Sequence, residues 1–260
     1  MNKKNMFRML LLVFIAAMFL TDIVHMLIGA ADLSGSYHQR AINVAFRSAF
    51  GVFELIMIGI MIYFIRKYPA RRVRLLSLLF FHVVGVLVIP MGTRNFSLMA
   101  LSFPWPQTLL PFDLATPHPV FIASLVIGFI VIPLITVLRG RKAFCGYVCP
   151  LGGFYSESLG RLFNPKPGRL KWLQRFGPPF YYLLMVGALA VLLVFPRMLD
   201  SLRTVHKLFF FATSQVLYFV VGIPLIGARS YCTHVCPLGY EIGWFVKIKN
   251  RLKNKRRAIG

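Results

Sequence analysis

Residues 132–152 read IPLITVLRGRKAFCGYVCPLG, and residues 223–239 read IPLIGARSYCTHVCPLG. Each stretch ends an apolar run with IPLI, passes a basic residue and an aromatic, and arrives at Cys-x-x-x-Cys-Pro-Leu-Gly. The two differ by four residues in the connector, as duplication followed by loop drift leaves them. The repeat therefore predicts two copies of one unit, a membrane helix followed by a cysteine pair.

Working outward, apolar runs long enough to cross roughly 30 Å of hydrocarbon as helix occur at about 9–30, 44–65, 75–91, 120–138, 179–196 and 205–227. The chain of 260 residues is 58% hydrophobic and only 14% charged, so a soluble fold has too little polar surface to cover its apolar content. The expected fold is an all-α membrane protein of about six transmembrane helices containing a duplicated helix-CxxxCP unit. Pro90, Pro133 and Pro224 fall in or at the end of spans, where a helix kinks if its neighbours satisfy the freed carbonyls. Four regions follow: a three-helix membrane region over 1–92, an external proline-rich loop over 93–119, the duplicated module over 120–246 and a basic tail over 247–260.

A formal charge of +23 would point to nucleic acid in a polar protein, but here the cations sit between apolar runs. Segments 1–8, 66–74, 139–178 and 228–260 hold 24 Lys/Arg; segments 31–43, 92–119 and 197–204 hold only Arg40, Arg94, Arg197 and Arg203. Positive residues accumulate on the cytoplasmic side, so both termini and both cysteine pairs are expected there. Lys3, Lys4 and Arg8 before the first apolar run, with Gly29-Ala30-Ala31 after it, also suit a signal peptide. That run is longer than a usual signal core, and cleavage would leave the later sides unchanged.

Cys145, Cys149, Cys232 and Cys236 are the only cysteines, too sparse for a disulfide scaffold. Four thiolates are the ligand set of a [4Fe–4S] cluster or of tetrahedral zinc, and two thiolates rarely hold either. Paired thiolates also suit Cu(I), and a reducing compartment disfavours disulfides. Pro150 and Pro237 suit the first position of a helix, which puts Cys149 and Cys236 at helix N-termini. Free backbone N–H groups there stabilise anionic sulfur. Gly152 and Gly239 leave room for a bulky group, and Arg139, Arg141, Lys142 and Arg229 supply countercharge that raises its reduction potential.

The strings Cys145-Gly146-Tyr147-Val148-Cys149-Pro150 and Cys232-Thr233-His234-Val235-Cys236-Pro237 resemble the membrane-embedded ferredoxin-like proteins of the NapH, NosR and CcoG type over about residues 120–245. The resemblance implies a bacterial-type inner-membrane protein that holds a [4Fe–4S] cluster on Cys145, Cys149, Cys232 and Cys236. It also implies electron transfer between a quinol or cytoplasmic donor and a redox partner, as a subunit of a quinol-linked oxidoreductase. Such proteins usually continue into a soluble CxxCxxCxxxCP segment; this sequence has none, so a separate ferredoxin-like or redox-enzyme partner is expected. The alternative is a copper-handling or thiol redox-sensing protein using the same cysteines, since C-x-x-x-C-P is similar to the copper site of Sco-type assembly proteins.

Glu54 and His82 lie midway along the second and third spans at similar depth. An ionisable residue within a span suggests proton handling or a quinone contact; the structural reading is a helix-to-helix hydrogen bond. Asp22, His25, Arg203 and His206 fall toward the outer face, and haem ligation would need two facing histidines among His25, His82 and His206. The loop SFPWPQTLLPFDLATPHP (102–119) reads as interfacial, anchored by Trp105. From Lys247 to Arg257 seven residues in eleven are basic, suiting anionic lipid or an acidic partner. No phosphate-binding glycine loop, H-E-x-x-H string or nucleophile elbow occurs. The topology predicts that a reporter after Gly260 or within 161–170 reads as cytoplasmic and one within 106–116 as external. Finding the 145–149 segment outside would make disulfides the better reading of the cysteines.

Overall fold

A computed structural model describes residues 3–30, 36–93, 98, 101–104, 119–140, 142–163, 171–195 and 211–259. The regular elements among these residues are all helical, with no strand. In chain order the helices are α1 (Lys3–Ala30), α2 (Ser36–Lys67), α3 (Pro69–Gly92), α4 (Pro119–Arg139), α5 (Lys142–Tyr147), α6 (Pro150–Tyr155), α7 (Ser156–Phe163), α8 (Lys171–Val194), α9 (Phe211–Ile226), α10 (Ser230–His234) and α11 (Pro237–Ile259). Three described helices, Ser48–Lys67, Pro69–Gly92 and Pro119–Arg139, are long and apolar enough to cross a membrane. They correspond to the second, third and fourth runs read from the sequence. The first run lies in α1, whose described apolar stretch is the shorter Asn5–Thr21. The fifth run lies in α8 and the sixth overlaps α9, with 205–210 outside the described residues.

Proline and glycine set the local shape. The helical turns at Val83–Val88, Ile127–Val131 and Phe211–Ile226 are wide π-type turns, and these lie beside or contain Pro90, Pro133 and Pro224. A proline without an N–H breaks the regular ladder, and wider bonding re-uses the carbonyls it strands. Both helices leading to cysteines end at a glycine with positive φ: Gly140 at 92° after α4 and Gly227 at 143° after α9. Their N–H groups cap the helices on Thr136 (2.8 Å) and Gly222 (2.9 Å) carbonyls. A β-carbon would strain both turns, so glycine ends each helix and aims the chain at its cysteine pair.

Apolar side chains tie the bundle together. Phe19 of α1 stacks on Phe219 of α9 at 5.3 Å, Tyr155 of α6 meets Phe219 at 4.9 Å, and Phe53 of α2 meets Tyr155 at 5.8 Å. Aromatic pairs at such spacings add roughly 0.5–1.5 kcal/mol each beyond their burial. The helix after the first cysteine pair turns inward: Pro150 to Gly160 are all buried, α6 against α3 and α7 against α2 and α9. The 139–178 connection, read from its charge as a cytoplasmic loop, thus contains a buried helical pair. Gly160 permits this, because a β-carbon there would lie 2.2 Å from Ala228 Cβ. The helix after the second pair, α11, packs on α8 and on the Ile132–Arg139 end of α4.

Charge holds the inward helix. Glu157, 7% exposed, accepts from Arg74 and Arg161 at 2.6 Å each, while Arg74 Nε also donates to the Gly146 carbonyl at 2.9 Å and Ser77 Oγ to that of Tyr147. Arg74→Met strips Glu157 of one cation and orphans Gly146, so unfolding in detergent should come about 1–3 kcal/mol easier. Arg74→Lys should recover only part, since a point charge cannot span both acceptors; an unchanged unfolding midpoint in the Met variant contradicts the pin.

Glu241 of α11 is different: it is 4% exposed, and among the described residues neither carboxylate oxygen has a hydrogen-bond partner. Burial pushes its carboxyl up to about 7 from the ordinary 4.5. A raised folded-state value favours the protonated fold, so this group's contribution is complete below about pH 4.5 and is lost as pH rises through 7. Glu241→Gln should therefore gain stability over the parent as pH goes from 5 to 8; parallel pH profiles would show a solvated carboxyl.

Candidate metal centre

The two cysteine pairs arrive at one place by matching local geometry. Cys149 takes extended backbone (φ −62°, ψ 122°) ahead of Pro150, and its Sγ accepts the Gly152 N–H at 3.3 Å. Cys236 accepts the Gly239 N–H at the same 3.3 Å. In both cases sulfur serves as the N-cap of the following helix. The first-turn N–H groups that would otherwise lack partners then stabilise a thiolate.

Gly152 marks the meeting point. A β-carbon there would lie 2.2 Å from Cys232 Sγ and 3.7 Å from Cys149 Sγ, so thiols from both halves press on one side-chain-free position. A β-carbon at Gly239 would likewise lie 3.6 Å from Cys236 Sγ and 3.0 Å from the Cys232 carbonyl. Cys149 and Cys236 are buried, Cys145 and Cys232 partly so, and none is in a disulfide. Burial pushes the Cys232 thiol up, with further upward pressure from Cys145, Cys236 and Cys149 and opposition from Arg229. A thiol held neutral by burial beside three other cysteines would ionise more readily next to a cationic centre. Among the described residues no three His, Cys, Asp or Glu side chains form a cage around a single ion. The donor chemistry, the N–H groups on sulfur and the glycine cradle all fit an iron–sulfur cluster.

Of the proposed countercharges, Arg229 stands within electrostatic reach of Cys232 and Arg139 is exposed, while Arg141 and the Lys142 side chain lie outside the described residues. So do the side chains of Asp22 and His25, all of Arg203 and His206, and most of the 102–119 loop, including Trp105.

The second constellation is internal. His82 Nε2 lies 2.6 Å from Glu54 Oε2, and both residues are buried. Tyr155 donates its hydroxyl to Glu54 Oε1, and the Phe154 ring stacks on His82 with centroids 3.7 Å apart at 7°. His82 Nδ1 has no hydrogen-bond partner among the described residues. Beyond Tyr155, Ser156 Oγ pairs with Tyr218 Oη at 3.0 Å, and that hydroxyl reaches the Leu151 carbonyl at 3.0 Å. This polar group connects α2 and α3 to the helix that Cys149 caps. Tyr155 was missed by sequence reasoning, because nothing local in FYSESLG announces a partner 101 residues away.

Residues 121–169 and 209–255 match the family model described as a 4Fe-4S binding domain, and these segments contain all four cysteines. No curated protein and no solved structure is significantly similar to the chain. The family match supports a 4Fe-4S protein that binds an iron–sulfur cluster, and the helices of membrane-spanning length are compatible with membrane association.

Proposed function

We propose that this chain is a membrane electron-transfer protein in which Cys145, Cys149, Cys232 and Cys236 together hold one [4Fe–4S] cluster at the cytoplasmic face. The observation that carries the reading is the convergence at Gly152, where Sγ atoms of Cys149 and Cys232 approach one position from opposite halves of the chain. When bound, such a cluster exchanges single electrons. The protein's own contributions are those of a host. Gly152 and Gly239 donate to cysteine sulfur and Arg229 offsets charge, both of which raise the reduction potential, while burial of Cys149 and Cys236 keeps water from the inner side.

In this reading the chain is multi-pass with both termini cytoplasmic, and electrons come from a quinol or a cytoplasmic donor and leave to a separate redox partner. Glu54 and His82, with Tyr155, form a buried group able to hold and pass a proton at Glu54 Oε. That capacity suits proton release during quinol oxidation.

Anaerobic purification should give a brown protein with about four iron and four sulfide per chain. Cys145→Ser and Cys236→Ser should each lose most of the iron despite lying in different halves. In the same preparation Glu54→Gln should keep its iron but be reduced more slowly by a soluble quinol analogue. A colourless protein with stoichiometric copper would sink the iron reading, as would half the metal remaining in either cysteine variant.

A further inference from the structure

Cys149 and Cys236 are enclosed, but Cys232 is partly exposed and lines a half-open cleft of about 450 Å³. The walls come from α8 and α11 and include Arg175, Tyr240, Trp244 and Lys247, with Gly239 and Gly243 leaving side-chain-free surface beside the cysteine. Arg175 and Lys247 are both exposed, and among the described residues no acidic side chain lines the cleft. Lys247 also opens the basic run that continues through Lys249 and Arg251, both exposed. The chain as a whole has seven acidic residues against thirty basic ones.

We propose that this cleft is the electron port of the protein, where a soluble one-electron carrier with an acidic surface docks on Arg175 and Lys247 beside Cys232. The proposal rests on the four-cysteine cluster reading and adds where and with what chemistry the cluster exchanges electrons. Electron transfer weakens steeply with distance, so exchange belongs where a ligand of the centre reaches the surface. Cations around such an opening steer an acidic partner, raising its association rate more than its final affinity. Tyr240 and Trp244 offer rigid apolar contact of the kind enriched at interfaces. Attraction to anionic lipid would be served by cations anywhere along α11. It gives no reason for a cleft that ends at a thiol. The transfer balances simply: the reduced carrier gives up one electron, the centre gains one, and no bond or proton changes.

The test uses the full chain purified anaerobically in detergent with its iron, and a reduced acidic [2Fe–2S] ferredoxin as probe. Bleaching of the iron–sulfur absorption is followed by stopped flow, with reduced methyl viologen as a small reductant that needs no docking. The wild-type rate with ferredoxin should fall steeply as salt rises. The double variant Arg175→Glu, Lys247→Glu should keep its iron, lose about tenfold or more in that rate, and stay within about twofold of wild type with viologen. The single changes Arg175→Gln and Lys247→Gln, milder for the fold, should each give intermediate losses, and Arg175→Lys should recover most of the rate. An unchanged ferredoxin rate in the iron-loaded variants overturns the port. So does loss of binding to anionic vesicles with no loss of ferredoxin rate, which would assign these cations to lipid. A wild-type chain without iron would instead overturn the cluster reading, a result read from the metal analysis before any kinetics.

Discussion

Much of the fold depends on bringing Cys232 from one half-chain against Cys149 from the other beside Gly152. The missing side chain of Gly152 leaves the space that Cys232 Sγ occupies. Neither half satisfies this constraint alone. The first pair is set by Gly140, Pro150 and the carbonyl contacts from Arg74 and Ser77; the second is set by Gly227, Pro237 and the packing of α10 on α8 and α9. Gly177 marks how tight that packing is, since a β-carbon there would meet the His234 carbonyl at 1.9 Å.

The same constraint explains the buried polar groups. Turning Pro150–Phe163 into the bundle brings Tyr155 to Glu54 and Phe154 to His82, so helices flanking the first cysteine pair share hydrogen bonds with helices that have no cysteine. It also buries Glu157, which is tolerable only because Arg74 and Arg161 both reach it. Removing one partner of such a group costs more than the pair contributes net, because the remaining charge stays desolvated. Among the described residues Glu241 has no such cation, and its burial is accommodated by a raised affinity for the proton.

Much of this was legible in the sequence for identifiable reasons. The repeat exposed the cysteine pairs, Pro150 and Pro237 exposed the helix starts beside them, and hydropathy located the three described helices of membrane-spanning length. Glu54 and His82 were visible as ionisable residues at matched depth, but spacing fixes depth and not rotation about the helix axis. Their 2.6 Å contact therefore required three dimensions. The inward course of Pro150–Phe163 was hidden because LGGFYSESLGRLF carries serines, Glu157 and Arg161, a composition that reads as a solvated loop. The small residues that permit burial, and the cation from α3 that neutralises Glu157, are evident only once the helices are packed. The cleft beside Cys232 was likewise out of reach, since Arg175 and Lys247 are 72 positions apart.

In the proposed reading both halves build one centre. Iron-57 Mössbauer spectroscopy of the anaerobically purified protein tests this, because the spectrum reports how many irons share electrons. Essentially all protein-bound iron should belong to one diamagnetic, valence-delocalised four-iron centre per chain in the oxidised protein. A spectrum of isolated tetrathiolate iron, or of two-iron centres, would contradict it.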